Sequence, residues 1–156
     1  MGFDPIGIYR MARGVVDRDA DKLNETIDDV YQLAEKGKKH SLTYINLALK
    51  GNDELMGNGV SGSGSFMAKS RHHERAIQLV KHFDIACSQN KIEGHLYGHS
   101  YYLPDTPAST AQLMRDANVK YITPAFTSQH WFVNEHSAGL DDVFSSPEFK
   151  NLNYIM

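Results

Sequence analysis

The side chains best suited to chemistry in this 156-residue chain gather in two stretches. In the first, Gly51 to Ser65, the residues Gly57, Gly59 and Gly62 spell G-x-G-x-x-G ahead of a basic, histidine-bearing segment. Glycines let a backbone approach a ligand closely, and a helix N-terminus behind them can hold an anion. A dinucleotide fingerprint places its first glycine directly after a strand and an acidic residue near the end of the next. Here several residues intervene, and Asp84 falls at the start of a strand-like run. No Gly-Lys-Ser/Thr follows, which excludes a Walker loop. Gly59 and Gly62 therefore suit a loop that closes on a ligand, with a plain surface loop as the simpler reading.

The second stretch, Ile92 to Leu103, carries Tyr97, Tyr101 and Tyr102 together with His95 and His99. On an extended chain Tyr97 and Tyr101 share a face, where they can stack on a planar ring or simply pack in a sheet. Gly94 and Gly98 argue against a helix through the two histidines. On a strand their spacing is about 13 Å, against metal bonds of about 2 Å, so this pair alone holds no metal. His72 and His73 diverge on a helix, and His130 and His136 lie in the tail; surface histidines are the simpler reading, and no metal or cofactor is expected. Cys87 sits in an apolar run without a neighbouring base and reads as a small buried hydrophobe. Lys69, Arg71, Arg75 and Lys81 can meet a carboxylate or phosphate, or form a solvated helix face.

These residues need elements to hold them. Asp4-Pro5 reads as the start of a short helix reaching about Val16. Leu23, Ile27, Val30, Tyr31 and Ala34 recur at helical spacing and predict a second helix over Asp19 to Lys36, with Gly37 as its stop. Leu42 to Leu49 alternates as a strand, although Leu42, Ile45 and Leu49 also suit a helix. A helix opening at Ser70 carries Ala76, Ile77, Val80 and Phe83 inward and ends near Phe83. Asp84 to Ser88 and Ile92 to Leu103 read as extended, paired across Gln89-Asn90-Lys91. Thr106-Pro107 starts a helix that Asn118 stops, and Val119 to Phe126 reads as a strand whose Pro124 suits an edge. The order from Leu42 to Phe126 is β-α-β-β-α-β, an α+β, ferredoxin-like core (40–128). A helical extension (1–39) precedes it and an irregular tail (129–156) follows, within one domain.

Composition sets the outer bounds. Hydrophobic residues make up 41% and charged residues 22%, values typical of a chain with a packed core. A formal charge of −3 supplies no basic field for a polyanion, which sets nucleic acid aside as the main partner. No basic flank with an apolar stretch opens the chain, and no apolar run approaches a bilayer span, so a cytoplasmic, membrane-free setting is expected. A single cysteine excludes an intramolecular disulfide.

The predicted strand Leu42 to Leu49, the glycine loop, the helix opening Ser70-Arg71-His72 and the turn Gly94-His95-Leu96-Tyr97-Gly98 together resemble phage-encoded S-adenosylmethionine-degrading enzymes. The resemblance implies a PII-like, ferredoxin-type fold, a trimer, and a nucleoside-like ligand held between subunits. It implies that Tyr97 contacts the ligand; Gly59, Gly62, Ser70, Arg71, His72 and Tyr101 are the candidate ligand-binding residues beside it. The glutamate that the family carries shortly after that tyrosine is missing here. Glu93 or Glu74 would then supply negative charge beside the sulfonium, while the substrate's own carboxylate displaces it to give a lactone and methylthioadenosine. Positioning is the main catalytic demand of such a step. The resulting expectation is a homo-oligomeric small-ligand protein, with cleavage of S-adenosylmethionine as its enzymatic form. A non-catalytic binding or inhibitor protein stays open. So does an assembly component that docks through Trp131, Phe132, Phe144, Phe149 and Tyr154.

Overall fold

A computed structural model describes residues 7–56, 64–125 and 145–150. Strands β1 (Gly7–Arg13), β2 (Tyr44–Lys50), β3 (Glu93–Tyr97) and β4 (Thr123–Ala125) alternate with helices α1 (Leu23–Lys39), α2 (Ser70–Asn90) and α3 (Pro107–Asp116). The strands form one sheet in the order β1-β2-β3-β4, and every pair is parallel. Each crossover contains a helix, as parallel neighbours require.

This topology corrects the ferredoxin-like expectation, and two local misreadings account for it. Gly7–Arg13, expected as helix, is an edge strand along the whole of β2. Asp84 to Ser88, expected as a strand, is the second half of α2, where Ala76, Leu79, Val80, Phe83, Ala86 and Cys87 continue one buried stripe. The expected hairpin turn is the helix terminus: Lys91 adopts φ 55°, and the Ile92 N–H returns to the Cys87 carbonyl at 3.2 Å. Short apolar runs suit strand and helix alike until a partner is known. The expected long strand from Ile92 closes at Tyr97, and that from Val119 narrows to Thr123–Ala125.

Other elements fall where the periodicity placed them. In α1, Leu23, Thr26, Val30 and Ala34 line the buried stripe, and Lys36, Lys38 and Lys39 complement the carbonyl end of the helix dipole. Gly37 does not stop the helix. It lies inside it, where an added Cβ would meet Ile92 Cδ1 at 2.7 Å, so its missing side chain lets helix and sheet approach. Strand β2 is buried along both faces, as a central parallel strand is. Thr106 caps α3 by accepting from the Ser109 N–H, and Asn118 takes the left-handed φ of 53°.

The sheet has two unlike faces. Ile45, Leu47, Leu49 and Leu96 pack under the helices in the main core with Val30, Leu79, Val80 and Phe83. By register and alternation the other face carries Tyr9 and Met11 of β1 and Tyr44, Asn46, Ala48 and Lys50 of β2. Glu93, His95 and Tyr97 of β3, with Thr123 and Ala125 of β4, continue it. A second, smaller cluster of Ala48, Tyr97, Tyr102 and Ala125, with Met11 and Tyr101, packs on this inner face.

Candidate functional site

Parallel α/β sheets gather their functional groups beyond the carboxyl ends of the strands, because the loops entering the helices converge there. In this chain those ends are Arg13, Lys50, Tyr97 and Ala125. Tyr97 stands on the inner face, with the Tyr9 ring edge-on at 5.2 Å. Beyond β3 the chain turns back over β2: the Leu103 N–H reaches the Leu49 carbonyl at 3.2 Å, and Tyr102 bridges Lys50 in antiparallel sense. The turn lays the His99 ring flat on Tyr102, centroids 4.6 Å apart and planes 21° from parallel. Tyr102 donates to Met11 Sδ at 3.8 Å and shares a hydrogen bond with the Tyr9 hydroxyl. The mouth is thus an aromatic surface with one imidazole and one ammonium at its rim.

Its electrostatics favour neutral, hydrogen-bonding groups. Desolvation lowers the His99 pKa below 6.5, and the nearby Lys50 cation pushes in the same direction. Nδ1–H donates to the Ser100 carbonyl, so Nε2 is the basic nitrogen. Desolvation, followed by the Tyr102 hydrogen bond, raises the Tyr9 phenol. Deeper on the same face, His95 Nδ1–H donates to Asn46 Oδ1 at 2.9 Å, and burial holds this imidazole below 6.5.

A polar network braces the mouth from the side. Gly14 takes φ +68°, and a Cβ there would meet Asn52 Nδ2 at 2.2 Å, so the turn after β1 requires glycine. The Asn52 N–H donates to Asp17 Oδ2, and Arg75 donates to the Val16 and Asp17 carbonyls, both at 3.3 Å. Glu54 accepts from Arg71 and from His72 Nε2, the latter at 2.9 Å. His72 Nδ1 in turn accepts the Lys69 N–H at 3.0 Å. Both ring nitrogens are thereby assigned, and the imidazole is neutral. The loops after β1 and β2 are tied to the first turns of α2.

This wiring makes stability pH-dependent. Burial depresses the His72 pKa below 6.5 in the folded chain, so the unfolded chain binds its proton first as pH falls. Stability from this group is complete above pH 6.5 and is lost as pH falls through the folded pKa. His95 and His99 shift the same way. Urea midpoints measured from pH 7.5 to 5 are expected to fall, and His72→Asn, whose amide oxygen can accept the Lys69 N–H, should flatten the slope. An unchanged slope in His72→Asn would remove His72 from the account.

The structure brings together only part of the expected site. Tyr97 stands at the mouth. Glu93 lies at the opposite end of β3, about 13 Å away along the strand, with His95 Nε2 at 3.8 Å. Ser70, Arg71 and His72 open α2, but Arg71 and His72 are engaged by Glu54. Tyr101 is not on the strand; it takes φ 70° in the following turn, beside the inner-face cluster. Gly59 and Gly62 lie outside the described residues, as do Asp4-Pro5, His130, His136, Trp131, Phe132, Phe144 and Tyr154. Cys87 is fully buried, and burial pushes its thiol up to about 12, as a core residue's would be. Lys50, Tyr9, Met11 and Glu54 escaped sequence reasoning. The alternation Ile8-Tyr9-Arg10-Met11 was the available signal for two of them.

Two cavities lie elsewhere. One of about 430 Å³ is bounded by α3, residues 118–123 and Pro147, and one of about 500 Å³ lies over α3 beside His73. Arg115, which lines both, pairs with Glu148 at 3.2 Å, leaving neither cavity a convergent acid–base set.

Four parallel strands in sequential order, each joined to the next through a helix, are half of a (β/α)8 barrel. Solved structures share this arrangement. An L-ribulose 3-epimerase superposes with a TM-score of 0.72 at 11% identity, over 97% of this chain and 49% of its own. The 3-keto-D-glucoside 4-epimerase of E. coli gives 0.70 at 9% identity, over 97% and 57%. A xylose isomerase-like TIM-barrel protein of Mycobacterium smegmatis, solved with magnesium, gives 0.58 at 15% identity, over 76% and 39%. The chain spans about half the length of the two epimerases and 39% of the third protein. No protein-family model matches it, and no curated protein does at the sequence level. At these identities the likeness establishes the fold. It overturns the resemblance to S-adenosylmethionine-degrading enzymes and, with it, the assignment of S-adenosylmethionine cleavage.

Magnesium in one such barrel invites a test of the donors here. Among the described residues no three His, Cys, Asp or Glu side chains converge. Glu93 is at the wrong end of its strand, and His95 and His99 are separated along the chain. These side chains do not converge on one divalent cation. No helix among the described residues is long and apolar enough to cross a membrane.

Proposed function

We propose that the mouth formed by Lys50, Tyr97, His99 and Tyr102 binds a small polyhydroxylated ligand of the monosaccharide class, and that its chemical capacity is proton transfer beside a carbonyl. The observation carrying this reading is the stacked His99–Tyr102 pair beside Tyr97 at the carboxyl end of the sheet. Aromatic faces suit the C–H face of a sugar ring or chain, while the Lys50 ammonium offers donors to hydroxyl and carbonyl oxygens. A neutral His99 with Nε2 as its basic nitrogen suits removal of a proton α to that carbonyl, and the Lys50 ammonium suits the charge developing on oxygen. The epimerase chemistry named for the barrels above is of this small-sugar type.

Titration calorimetry against a panel of ketoses and aldoses tests binding. Tyr97→Ala is expected to weaken the best ligand about tenfold. A panel without a single saturable ligand would sink the reading. Turnover is tested separately, by NMR detection of deuterium entering the bound sugar from heavy water. His99→Asn should slow that exchange by about 100-fold or more, and the wild-type rate should fall as pH drops through the His99 pKa, which burial holds below 6.5. Binding without exchange would leave a binding protein and remove the catalytic role of His99.

A further inference from the structure

We propose that Arg13 and Lys50 form an oxyanion subsite at the mouth, so that the preferred ligand is a sugar bearing a carboxylate or phosphate rather than a neutral one. The inference deepens the monosaccharide reading and rests on it for the sugar part alone. In the parallel register of β1 and β2, Arg13 and Lys50 are paired directly, and each is the last residue of its strand. Alternation sends both side chains to the inner face, in the rows Tyr9-Met11-Arg13 and Asn46-Ala48-Lys50. The electrostatics agree with that placement: the Arg13 cation is felt at the Tyr9 phenol and the Lys50 cation at the His99 imidazole. Two cations therefore stand one strand spacing, about 4.8 Å, apart at the rim.

Side by side, like charges repel. The other arginines of the described residues are matched: Arg10 pairs with Asp29, Arg18 with Asp53, Arg71 with Glu54 and Arg115 with Glu148, while Arg75 donates to two carbonyls. Arg13 has no such partner among the described residues, and neither has the Lys50 ammonium. Carboxylates on the neighbouring loops are already engaged. Asp17 accepts the Asn52 N–H, Glu54 accepts from Arg71 and His72, and Asp105 accepts the Ser65 N–H and the Ser109 hydroxyl, both at 3.0 Å. A ligand oxyanion would relieve the repulsion and fill for Arg13 the role that a carboxylate fills for Arg10 and Arg18. The guanidinium fork suits two oxygens of a carboxylate or phosphate, and the ammonium adds a point charge that can also serve the carbonyl oxygen of the same ligand. Tyr97 pairs with Ala48, two residues before Lys50 on the same face. The anion would thus sit about 6.6 Å beyond the Tyr97 level, a separation that a monosaccharide chain spans.

The test compares sugars that differ in one terminal group, headed by D-fructose, its terminal phosphate ester and D-fructuronate, with inorganic phosphate and acetate as bare anions. Titration calorimetry on the full chain is expected to show the anionic member of a matched set binding about tenfold to a hundredfold tighter than its neutral parent. The phosphate and carboxylate arms show which oxyanion fits better. Arg13→Gln should abolish the advantage and Lys50→Gln should reduce it. Arg13 is exposed, so its variant is expected to keep the wild-type circular dichroism and decides the matter if Lys50→Gln fails to fold. Equal affinities for neutral and anionic sugars, or an advantage that survives Arg13→Gln, would overturn the subsite. The bare anions separate the two readings. A rise in Tm with phosphate or acetate at constant ionic strength, lost in Arg13→Gln, upholds the subsite even where no sugar binds. Sugar binding with no preference for the anion removes the subsite and leaves the monosaccharide reading standing.

Discussion

Asp84→Ala is expected to cost about 3 kcal/mol of folding stability, because three backbone donors lose a charged acceptor in one step. Asp84 lies in α2, with 8% of its surface exposed. It accepts the N–H groups of Tyr121 and Ile122, both at 2.8 Å, and of Lys120 at 3.2 Å. One helix side chain therefore satisfies the turn that delivers the chain from α3 into β4. Alanine would leave those donors facing a space from which the acceptor is gone. Asp84→Asn keeps one acceptor oxygen and turns a donor toward donors, so it should fall between wild type and alanine. Urea denaturation with the slope m held in view measures both. A loss below about 1 kcal/mol for alanine would mean that water reaches the turn and that Asp84 does not hold it.

The second large effect is expected at Gly94. An added Cβ there would stand 2.5 Å from Ile122 Cγ2, 2.7 Å from Cys87 Sγ and 3.2 Å from Phe83 Cζ. All three belong to the close-packed layer between α2 and the sheet, which cannot recede without moving the helix. Gly94→Val should cost about 3 kcal/mol, at the upper end of overpacking penalties, and Gly94→Ala somewhat less. The conflict with Ile122 gives a sharper check. In an Ile122→Ala background the penalty of Gly94→Ala should shrink, a coupling that a double-mutant cycle in urea isolates. Strict additivity of the two changes would rule out steric conflict with Ile122. Both predictions concern the frame that fixes β3 and β4, and hence where Tyr97 and the following His99 turn come to rest.

The candidate site was legible in proportion to its dependence on local spacing. Tyr97 and Tyr102 stood out as aromatic surface, and Tyr97 is at the mouth. The pairing of Tyr97 with Tyr101 assumed that extended chain continues past Gly98, whereas the structure bends there. Glu93 and Tyr97 are close in sequence, and on a strand that closeness is what separates them to opposite ends. The Glu54–His72 contact joins residues 18 apart across a glycine-rich loop, a relation no spacing rule reaches.

Helices α1 and α3, the central strand β2 and the burial of Cys87 followed from periodicity, capping residues and composition, because those signals act within a few residues of chain. Whether Gly7–Arg13 and Asp84–Ser88 became strand or helix was settled by neighbours. The first gains a full ladder with β2, and the second gains burial beneath the sheet beside Gly94. Those two choices convert a mixed βαββαβ order into an all-parallel half-barrel. A mouth can assemble only once parallel strands bring their carboxyl ends to the same side, so the site is a property of the packed sheet.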